Sequence, residues 1–394
     1  MKILLIRLSA VGDVVRTLPA LTCLRRSFPT ARIDWLVEEA STEIVQDQAD
    51  LDHMLVFPRR RLSRVVLHPA EIPAAREALG RLAAQLKESK YDVVVDFQGT
   101  LKSALLARLT GAPRLVGLGR GHAREMSHIF YTEKVLPSRR KPGRVERALA
   151  LAAHLGADVS HPASGIPEKE DDGAFADRFL ASLPGGTRGR APAVLFPGTS
   201  RTQMYKRYPT GHFGRLAELL TERTGSPVVV AWGPGELDLA EEVLAGSRGG
   251  AAVMAPAMTL GQLTALIRRS QVFVAGDTGP MHIAWTVGTP VVALYGPTDP
   301  EVNRPGGAFS TVAYDKVFCS PCRNRGCIAR TCLEGLSPEK VADAAVDVMN
   351  RAAAAGWRPR PFASARVQVP ADPPPLVLRA DIMGPGARPP EAGR

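Results

Sequence analysis

Short apolar runs alternate with helical patterns in the first part of the chain. The runs are bounded by turn residues, as buried strands are, and lie at residues 2–7, 33–37 and 91–96. Helical periodicity fills residues 14–27 and 101–109, and Pro19 predicts a kink or an early break in the first of these helices. Because strands alternate with helices, we expect a parallel sheet covered by helices on both faces.

A second series with the same alternation begins at residue 193. Its predicted strands lie at residues 193–196, 227–232, 272–275 and 291–295. Its predicted helices lie at residues 210–224, 236–244, 259–269 and 338–355. The pattern therefore predicts two doubly wound α/β domains whose polar strand-end turns face each other across a cleft.

Composition places the boundaries between these predicted domains. Residues 1–165 form the first domain, and residues 166–192, rich in Gly, Pro and charge, form a linker region with helix-like material at 172–182. Residues 193–355 form the second domain. Residues 356–394 are rich in Pro, Ala and Arg and lack periodicity, which predicts a disordered tail.

Charge and hydropathy narrow the choice of partners. The 394 residues carry a net charge of +11, which fits nucleic acid, an anionic substrate or an anionic membrane face. The basic groups are not interleaved with aromatic residues that could stack on bases, so we expect no nucleic acid partner. No apolar run approaches the ~20 residues that span a bilayer, and the N-terminus does not resemble a signal peptide. We therefore expect a cytoplasmic protein.

The turn after the predicted strand at 272–275 carries the strongest functional signal. The tetrapeptide Gly-Asp-Thr-Gly at residues 276–279 leads into a helix whose first residue is predicted to be Pro280. Such a turn directs backbone N–H groups and the positive helix end outward, where phosphate binds. Asp277, Thr278 and His282 are the polar side chains beside it. A nucleotide-diphosphate ligand is therefore the first hypothesis.

Asp13 lies in the turn after the first predicted strand, and two interpretations of it are open. It could be a helix N-cap, a common use of aspartate. It could also be a general base on an acceptor hydroxyl, because Gly12 allows a ligand to approach closely.

Further polar residues follow other predicted strands. Thr199 and Ser200 could hydrogen-bond phosphate and Lys206 could neutralise it, unless this loop is merely solvated. Glu236 could bind ribose hydroxyls or simply begin a helix. Neither a G-x-G-x-x-G fingerprint nor a P-loop sequence is present, which disfavours a nicotinamide dehydrogenase and a P-loop NTPase.

Four of the five cysteines crowd into one short segment. They have the spacing C-x2-C-x4-C-x4-C and are Cys319, Cys322, Cys327 and Cys332. In a cytosolic chain this spacing favours a metal over disulfides. A structural zinc or iron ion that stiffens the loop, and four reduced thiols packed locally, are both open interpretations.

Several of these motifs together resemble glycosyltransferase family 9, the ADP-heptose:lipopolysaccharide heptosyltransferases. The resemblance covers residues 1–350 and rests on the motifs at residues 6–19, 96–103, 124–125, 232–236, 258–260, 276–282 and 295–300. It implies a GT-B fold of two Rossmann-like domains, with the acceptor on the first and the nucleotide sugar on the second. It also implies an inverting transfer of heptose from ADP-heptose to the Kdo/heptose inner core, with no cofactor required for catalysis.

The resemblance assigns roles to residues as well. Asp13 matches the general base, Lys206 pairs with the diphosphate, and Asp277 contacts heptose hydroxyls. The donor-site residues as a whole are Thr199, Ser200, Lys206, Glu236, Met258, Asp277, Thr278, Gly279 and His282. Among them Glu236 would take the ribose and Met258 would pack near adenine.

The implied acceptor is Kdo-lipid A or heptosyl-Kdo-lipid A. Its anionic groups suit Lys102, Arg120 and Arg124. Lipid A lies in the inner membrane, so a basic face could hold the enzyme on the cytoplasmic surface of that membrane. The alternatives are a family 9 enzyme with another acceptor, protein or glycan, or another nucleotide sugar, and, in a different class, a nucleotide-sugar epimerase or a non-catalytic binder.

Overall fold

The computed structural model describes residues 1–65, 68–183, 190–359 and 367–368. The chain divides into two compact units, the first comprising Met1–Pro167 and the second beginning at Glu168. Most of the tail predicted at residues 356–394 and part of the predicted linker lie outside the described residues.

The first unit is built on a parallel sheet of six strands. Their order is β3-β2-β1-β4-β5-β6, with β1 (Lys2–Ile6), β2 (Arg32–Glu38), β3 (His53–Phe57), β4 (Val93–Asp96), β5 (Arg114–Leu118) and β6 (Glu133–Val135). The helices are α1 (Val11–Val15), α2 (Leu18–Ser27), α3 (Thr42–Val45), α4 (Arg59–Arg64), α5 (Ile72–Glu88), α6 (Leu101–Leu109) and α7 (Arg144–His154). Short 3-10 turns occupy Glu39–Ser41, Pro69–Glu71 and Ser127–Phe130, and a two-residue strand, β7, spans Ala163–Ser164.

The second unit repeats this plan. Its strands have the order β10-β9-β8-β11-β12-β13, with β8 (Ala193–Phe196), β9 (Val228–Val230), β10 (Ala252–Met254), β11 (Val272–Gly276), β12 (Val291–Tyr295) and β13 (Ser310–Tyr314). Its helices are α8 (Glu170–Ala181), α9 (Thr210–Thr224), α10 (Leu237–Ala245), α11 (Leu260–Arg268), α12 (Gly279–Thr286), α13 (Pro300–Asn303), α14 (Thr331–Glu334) and α15 (Pro338–Ala354), with a 3-10 segment at Arg201–Lys206. The two-residue strand β14 (Val367–Gln368) belongs to the first unit, where it pairs antiparallel with β7.

Helices cover both faces of each sheet, which explains the continuous apolar runs in the sequence. Residues 3–6 of β1 are fully buried, and so are the central residues of β8, β11 and β12. When helices cover both faces of a parallel sheet, the side chains on both faces of each strand are apolar. Apolar and polar residues then do not alternate along the strand. The doubly wound fold predicted from the sequence is confirmed. Within the described residues, no helix combines the length and apolar composition needed to cross a bilayer.

The break expected at Pro19 is present. Helix α1 ends at Val15 and α2 begins at Leu18, with Pro19 in the first turn of α2, where a missing N–H costs nothing. Several elements have no counterpart in the sequence predictions, among them the strands β3, β5, β6, β10 and β13 and the helices α5 and α7. Strand β5 is hard to recognise because it contains Gly117, which makes room for the ring of Tyr131.

The segment predicted as a linker begins with a buried ionic cluster. Glu168, almost fully buried, lies 2.9 Å from Arg269 and 3.3 Å from Arg268, and Arg269 also binds Asp177 at 2.6 Å. Arg268 is the last residue of α11 and Asp177 lies on α8, so the cluster joins these two helices. Residues 168–181 therefore pack as part of the second unit.

This cluster gives a stability prediction. Replacing Glu168 with alanine removes the buried carboxylate that faces both Arg268 and Arg269 and leaves Arg269 with Asp177. We expect a loss of about 3–5 kcal/mol in the free energy of unfolding. The control is Asp177→Ala, because that carboxylate is 58% exposed and its loss should cost about 0–1 kcal/mol. Urea unfolding of both variants measures the difference, and equal effects would contradict the assignment.

Candidate active site

The predicted phosphate turn lies between β11 and α12. Thr278 is the N-cap of α12, and its hydroxyl accepts a hydrogen bond from the Met281 N–H at 3.5 Å. Gly279 is the first residue of the helix and Pro280 the second, one position later than expected. The first-turn N–H groups of a helix have no intrahelical acceptors and form an anion site together with the helix dipole.

Lys206, Asp277 and His282 come together at this turn. The Lys206 ammonium is 3.0 Å from Asp277 Oδ2 and 3.5 Å from the Asp277 carbonyl oxygen. The Nε2 of His282 lies 3.8 Å from Asp277 Oδ1, while the indole N–H of Trp285 donates to His282 Nδ1 at 3.1 Å. An accepting Nδ1 places the imidazole proton of the neutral ring on Nε2, facing the carboxylate. The cluster thus holds a nearly buried cation beside the start of α12.

A second cluster joins the loops that follow β8 and β9. Arg207 donates to the Thr199 hydroxyl at 3.1 Å and to the Thr199 carbonyl at 3.0 Å, and it lies 3.9 Å from Glu236. Glu236 accepts from the Gly233 N–H at 3.1 Å, and a Cβ at Gly198 would collide with its carboxylate. Burial raises the pKa of Glu236, although the Gly233 N–H and the Arg207 charge oppose the rise. Glu236 is the N-cap of α10, but its side chain ties the two loops together instead of capping.

Two other predicted donor-binding residues, Ser200 and Met258, are not linked by polar contacts to the cluster of Lys206 and Asp277 in the described ranges. Ser200 is exposed and precedes the 3-10 segment, and Met258 is half-buried just before the N-cap of α11. Across the part of the chain that the structure describes, no hydrogen bond or ion pair connects either side chain to Lys206 or Asp277.

Asp13 lies in the first unit, in the first turn of α1. The N-cap of this helix is Ala10, so the interpretation of Asp13 as an N-cap is wrong. Its two carboxylate oxygens are bound by Arg7 and Arg16. Burial alone would raise the pKa of Asp13, but the charges of these arginines and of Arg144 outweigh burial and hold the pKa well below its usual range. Asp13 is therefore ionised at neutral pH.

Arg7, Arg16 and Arg207 contact the candidate site residues Asp13, Thr199 and Glu236 but were not singled out by the sequence analysis. Burial lowers the pKa of Arg7 to about 10, a value at which the guanidinium is still charged at neutral pH. Arg7 follows the last residue of β1, and Arg16 lies one helical turn after Asp13. The i, i+3 spacing of Asp13 and Arg16 could have predicted their ion pair, because side chains three residues apart on a helix are neighbours.

The three predicted acceptor residues have different surroundings. Lys102 lies 2.6 Å from the buried carboxylate of Glu38 and stands over the ring of Phe57 at 4.8 Å. Arg120 and Arg124 are exposed. Arg124 follows β5, and its charge is one of those that lower the pKa of Arg7. Of the three, Arg124 is thus the one coupled electrostatically to the surroundings of Asp13.

The four cysteines of the predicted metal loop are unpaired thiols. The loop is attached to the segment after β12, because the backbone N–H groups of Cys322 and Arg323 donate to Pro297 O at 3.1 and 2.8 Å. Burial and the neighbouring cysteines raise the pKa of Cys332 to about 11. In the described ranges no three His, Cys, Asp or Glu side chains are arranged to hold a metal ion. The thiols as placed do not fit a metal, and zinc or iron here stays a prediction.

Two doubly wound units, each with polar strand-end turns, match the architecture of the GT-B class of glycosyltransferases. The model of glycosyltransferase family 9 (heptosyltransferase) matches residues 79–333. Lipopolysaccharide heptosyltransferase 1 of Pseudomonas aeruginosa is 31% identical over 329 residues, covering 83% of this chain and 87% of that protein. The same-named protein of Escherichia coli K12 is 32% identical over 304 residues, covering 76% and 89%. The chain belongs to glycosyltransferase family 9 and is a glycosyltransferase.

A solved structure agrees with this assignment. The E. coli heptosyltransferase WaaC with ADP superposes with a TM-score of 0.68 at 28% identity, covering 88% of this chain and 100% of that one. WaaC was also solved with ADP-2-deoxy-2-fluoro heptose, and that structure has a TM-score of 0.66. The GT-B fold expected from the sequence is confirmed.

The ion pairs of Asp13 predict a pH-dependent stability. Because the folded-state pKa lies below the unfolded value, the charge of Asp13 contributes its full stability above about pH 5 and loses it as the pH falls below about 4. Asp13→Asn should therefore lower the free energy of unfolding by a constant amount between about pH 5 and 8. Below that range the difference from wild type should shrink. Urea titrations across pH measure it, and a difference that grows on acidification would contradict the pairing.

Proposed function

We propose that this protein transfers heptose from ADP-heptose to the inner core of lipopolysaccharide, with inversion and without a catalytic metal. The observation that carries the proposal is the nearly buried Lys206 ammonium beside the start of α12. The relatives named above are lipopolysaccharide heptosyltransferases, and WaaC was solved with ADP and with a fluorinated ADP-heptose, which supports this donor.

The turn at α12 has the groups needed to stabilise a diphosphate leaving group. Negative charge grows on the diphosphate as the bond to the sugar breaks, and fixed cations and N–H donors stabilise that charge. Lys206 is bound to Asp277 in the structure, so an incoming diphosphate would compete for the ammonium. Asp277, released from the lysine, would then be available to accept hydrogen bonds from heptose hydroxyls.

Asp13 is proposed to remove the proton from the acceptor hydroxyl. It is ionised at neutral pH, which a base requires, but its two arginine partners make it a weak base. Proton transfer would therefore accompany bond formation at the anomeric carbon, when the hydroxyl becomes acidic, and would not precede it. Arg7, Arg16 and Arg124 also form a basic environment that favours an anionic acceptor.

We propose Kdo-lipid A, before any heptose is added, as the acceptor. The two relatives named above are both heptosyltransferases 1, and this number favours the first heptose over the second. Since lipid A is anchored in the inner membrane, the reaction would take place at its cytoplasmic surface, with the protein bound there peripherally.

The direct test is ADP release from the purified protein and ADP-heptose with three acceptor conditions. We expect turnover with Kdo2-lipid A, none with its mono-heptosylated form, and none without acceptor; EDTA should leave the rate unchanged. Turnover with the heptosylated form alone would overturn the acceptor, and donor binding without turnover on either would indicate another acceptor. Absence of ADP-heptose binding would refute the donor assignment.

Asp13→Asn tests the proposed base. A general base contributes about 10²–10⁴-fold to the rate, so kcat should fall by that factor while the Kd for ADP-heptose stays near the wild-type value. Asp158→Asn, which changes an exposed carboxylate of the same unit, should leave both constants unchanged. Near-normal kcat in Asp13→Asn would show that another group accepts the proton.

Lys206→Met tests the diphosphate contact. A hydrogen bond to a charged group contributes about 1.5–3 kcal/mol, so ADP should bind roughly 10- to 150-fold more weakly to the variant. Adenosine lacks the diphosphate, and its affinity should hardly change. Calorimetric titrations with both ligands measure this, with Lys316→Met as an exposed-lysine control in the same unit. Equal losses for ADP and adenosine would indicate a general disruption of the site.

A further inference from the structure

Five large apolar side chains are exposed along one edge of the first unit. They are 41–67% exposed and belong to α6, to the loops after β5 and β6, and to the 3-10 turn that follows β5: Leu101, Leu105, Met126, Ile129 and Leu136. We call these five residues the apolar patch. Single exposed apolar residues are ordinary, but several on adjoining elements mark a surface that another body covers.

Contacts between these elements make the patch continuous. Leu101 and Leu105 lie one turn apart on the exposed side of α6, and the turn Ser127–Phe130, which carries Ile129, packs against this helix. The loop before Met126 is tied to the start of α6, because the Arg124 N–H donates to Gly99 O at 2.9 Å and the Leu101 N–H to Glu125 at 3.1 Å.

Leu136 extends the patch to the end of β6. A Cβ on Gly119 would lie 2.8 Å from Leu136 Cδ2, so this leucine packs against the loop that follows β5. The patch therefore spans the carboxyl ends of β4, β5 and β6.

The segment that carries the patch is strongly basic. Residues 101–141 contain nine Lys and Arg side chains and two carboxylates, Glu125 and Glu133. Glu133 is bound by Arg114 at 2.7 Å and by His154 at 2.8 Å, and Glu125 by the Leu101 N–H. Both carboxylates are thus engaged within the unit, while Arg108, Arg120 and Arg124 are exposed.

We propose that the apolar patch docks on the surface of an anionic lipid bilayer. Apolar side chains surrounded by cations match such a surface, where the former enter the headgroup region and the latter bind lipid phosphates. The proposal deepens the proposed function, because a lipid acceptor lies in such a surface and the patch includes the loop that carries Arg120 and Arg124. Docking itself requires neither donor nor acceptor.

The test is cosedimentation of the full chain with vesicles of phosphatidylcholine, alone or mixed with phosphatidylglycerol. Wild type should bind the mixed vesicles, less so at high salt, and bind the neutral ones weakly. The double variant Leu105→Glu/Ile129→Glu should bind at least about tenfold more weakly. The control Ile72→Glu/Leu79→Glu adds the same charge at two exposed apolar positions on α5 and should bind like wild type.

Three outcomes would overturn the proposal: no binding by wild type, equal binding by the patch variant, or an equal loss in the control variant. Light scattering without vesicles tests whether a second copy of the chain covers the patch instead. If wild type is a dimer and the patch variant is a monomer, the patch is a dimer interface. Turnover on detergent-dispersed acceptor should be unchanged in the patch variant. If wild type binds vesicles but transfers no heptose, the docking surface stands and the proposed function fails.

Discussion

A parallel sheet that is covered by helices on both faces has almost no room for polar side chains except at the ends of its strands. In both units the interior of the sheet is largely apolar, and most buried ionisable groups lie where strands become loops. Asp34 inside β2 is an exception, and it is bound by Arg32 and Tyr91. Asp13 and Arg7 follow β1, Asp96 ends β4, and Asp277 follows β11. Ligand-binding groups in this fold therefore lie in the strand-end turns. Burying a charged side chain costs less desolvation free energy there than inside the sheet.

Charges at these turns are stabilised by partners of opposite sign. Arg7 and Arg16 share Asp13, Lys206 binds Asp277, and Arg207 lies near Glu236. The pair of arginines lowers the pKa of the buried Asp13 carboxyl and so keeps it ionised, against the effect of burial. The same pairs hold side chains in place before a substrate arrives, which lowers the ordering cost of binding.

The sequence was most informative where glycine and polar residues interrupt apolar runs. The turns at Asp13 and Asp277 and the helices α6 and α9 could be predicted because the pattern changes sharply there. The arginines that pair with the site carboxylates could not be predicted in this way. The sequence alone does not distinguish a buried, paired arginine such as Arg16 from a solvated one. Glu168 and α8 were read as linker because composition does not reveal that the carboxylate finds two arginines on another helix. Strands β5 and β6 are short and carry charged or glycine positions, so their place at one side of the sheet depends on long-range packing.

The pairing of Lys206 with Asp277 has a consequence for selectivity in a cell full of phosphate. The aspartate is a resident competitor for the anion site, covalently held at high effective concentration. On the proposed function, a diphosphate would offer the lysine and the helix end more charged oxygens than inorganic phosphate does, and so would compete better with the aspartate. The ion pair between Lys206 and Asp277 would then act as a built-in selectivity element for the proposed diphosphate ligand.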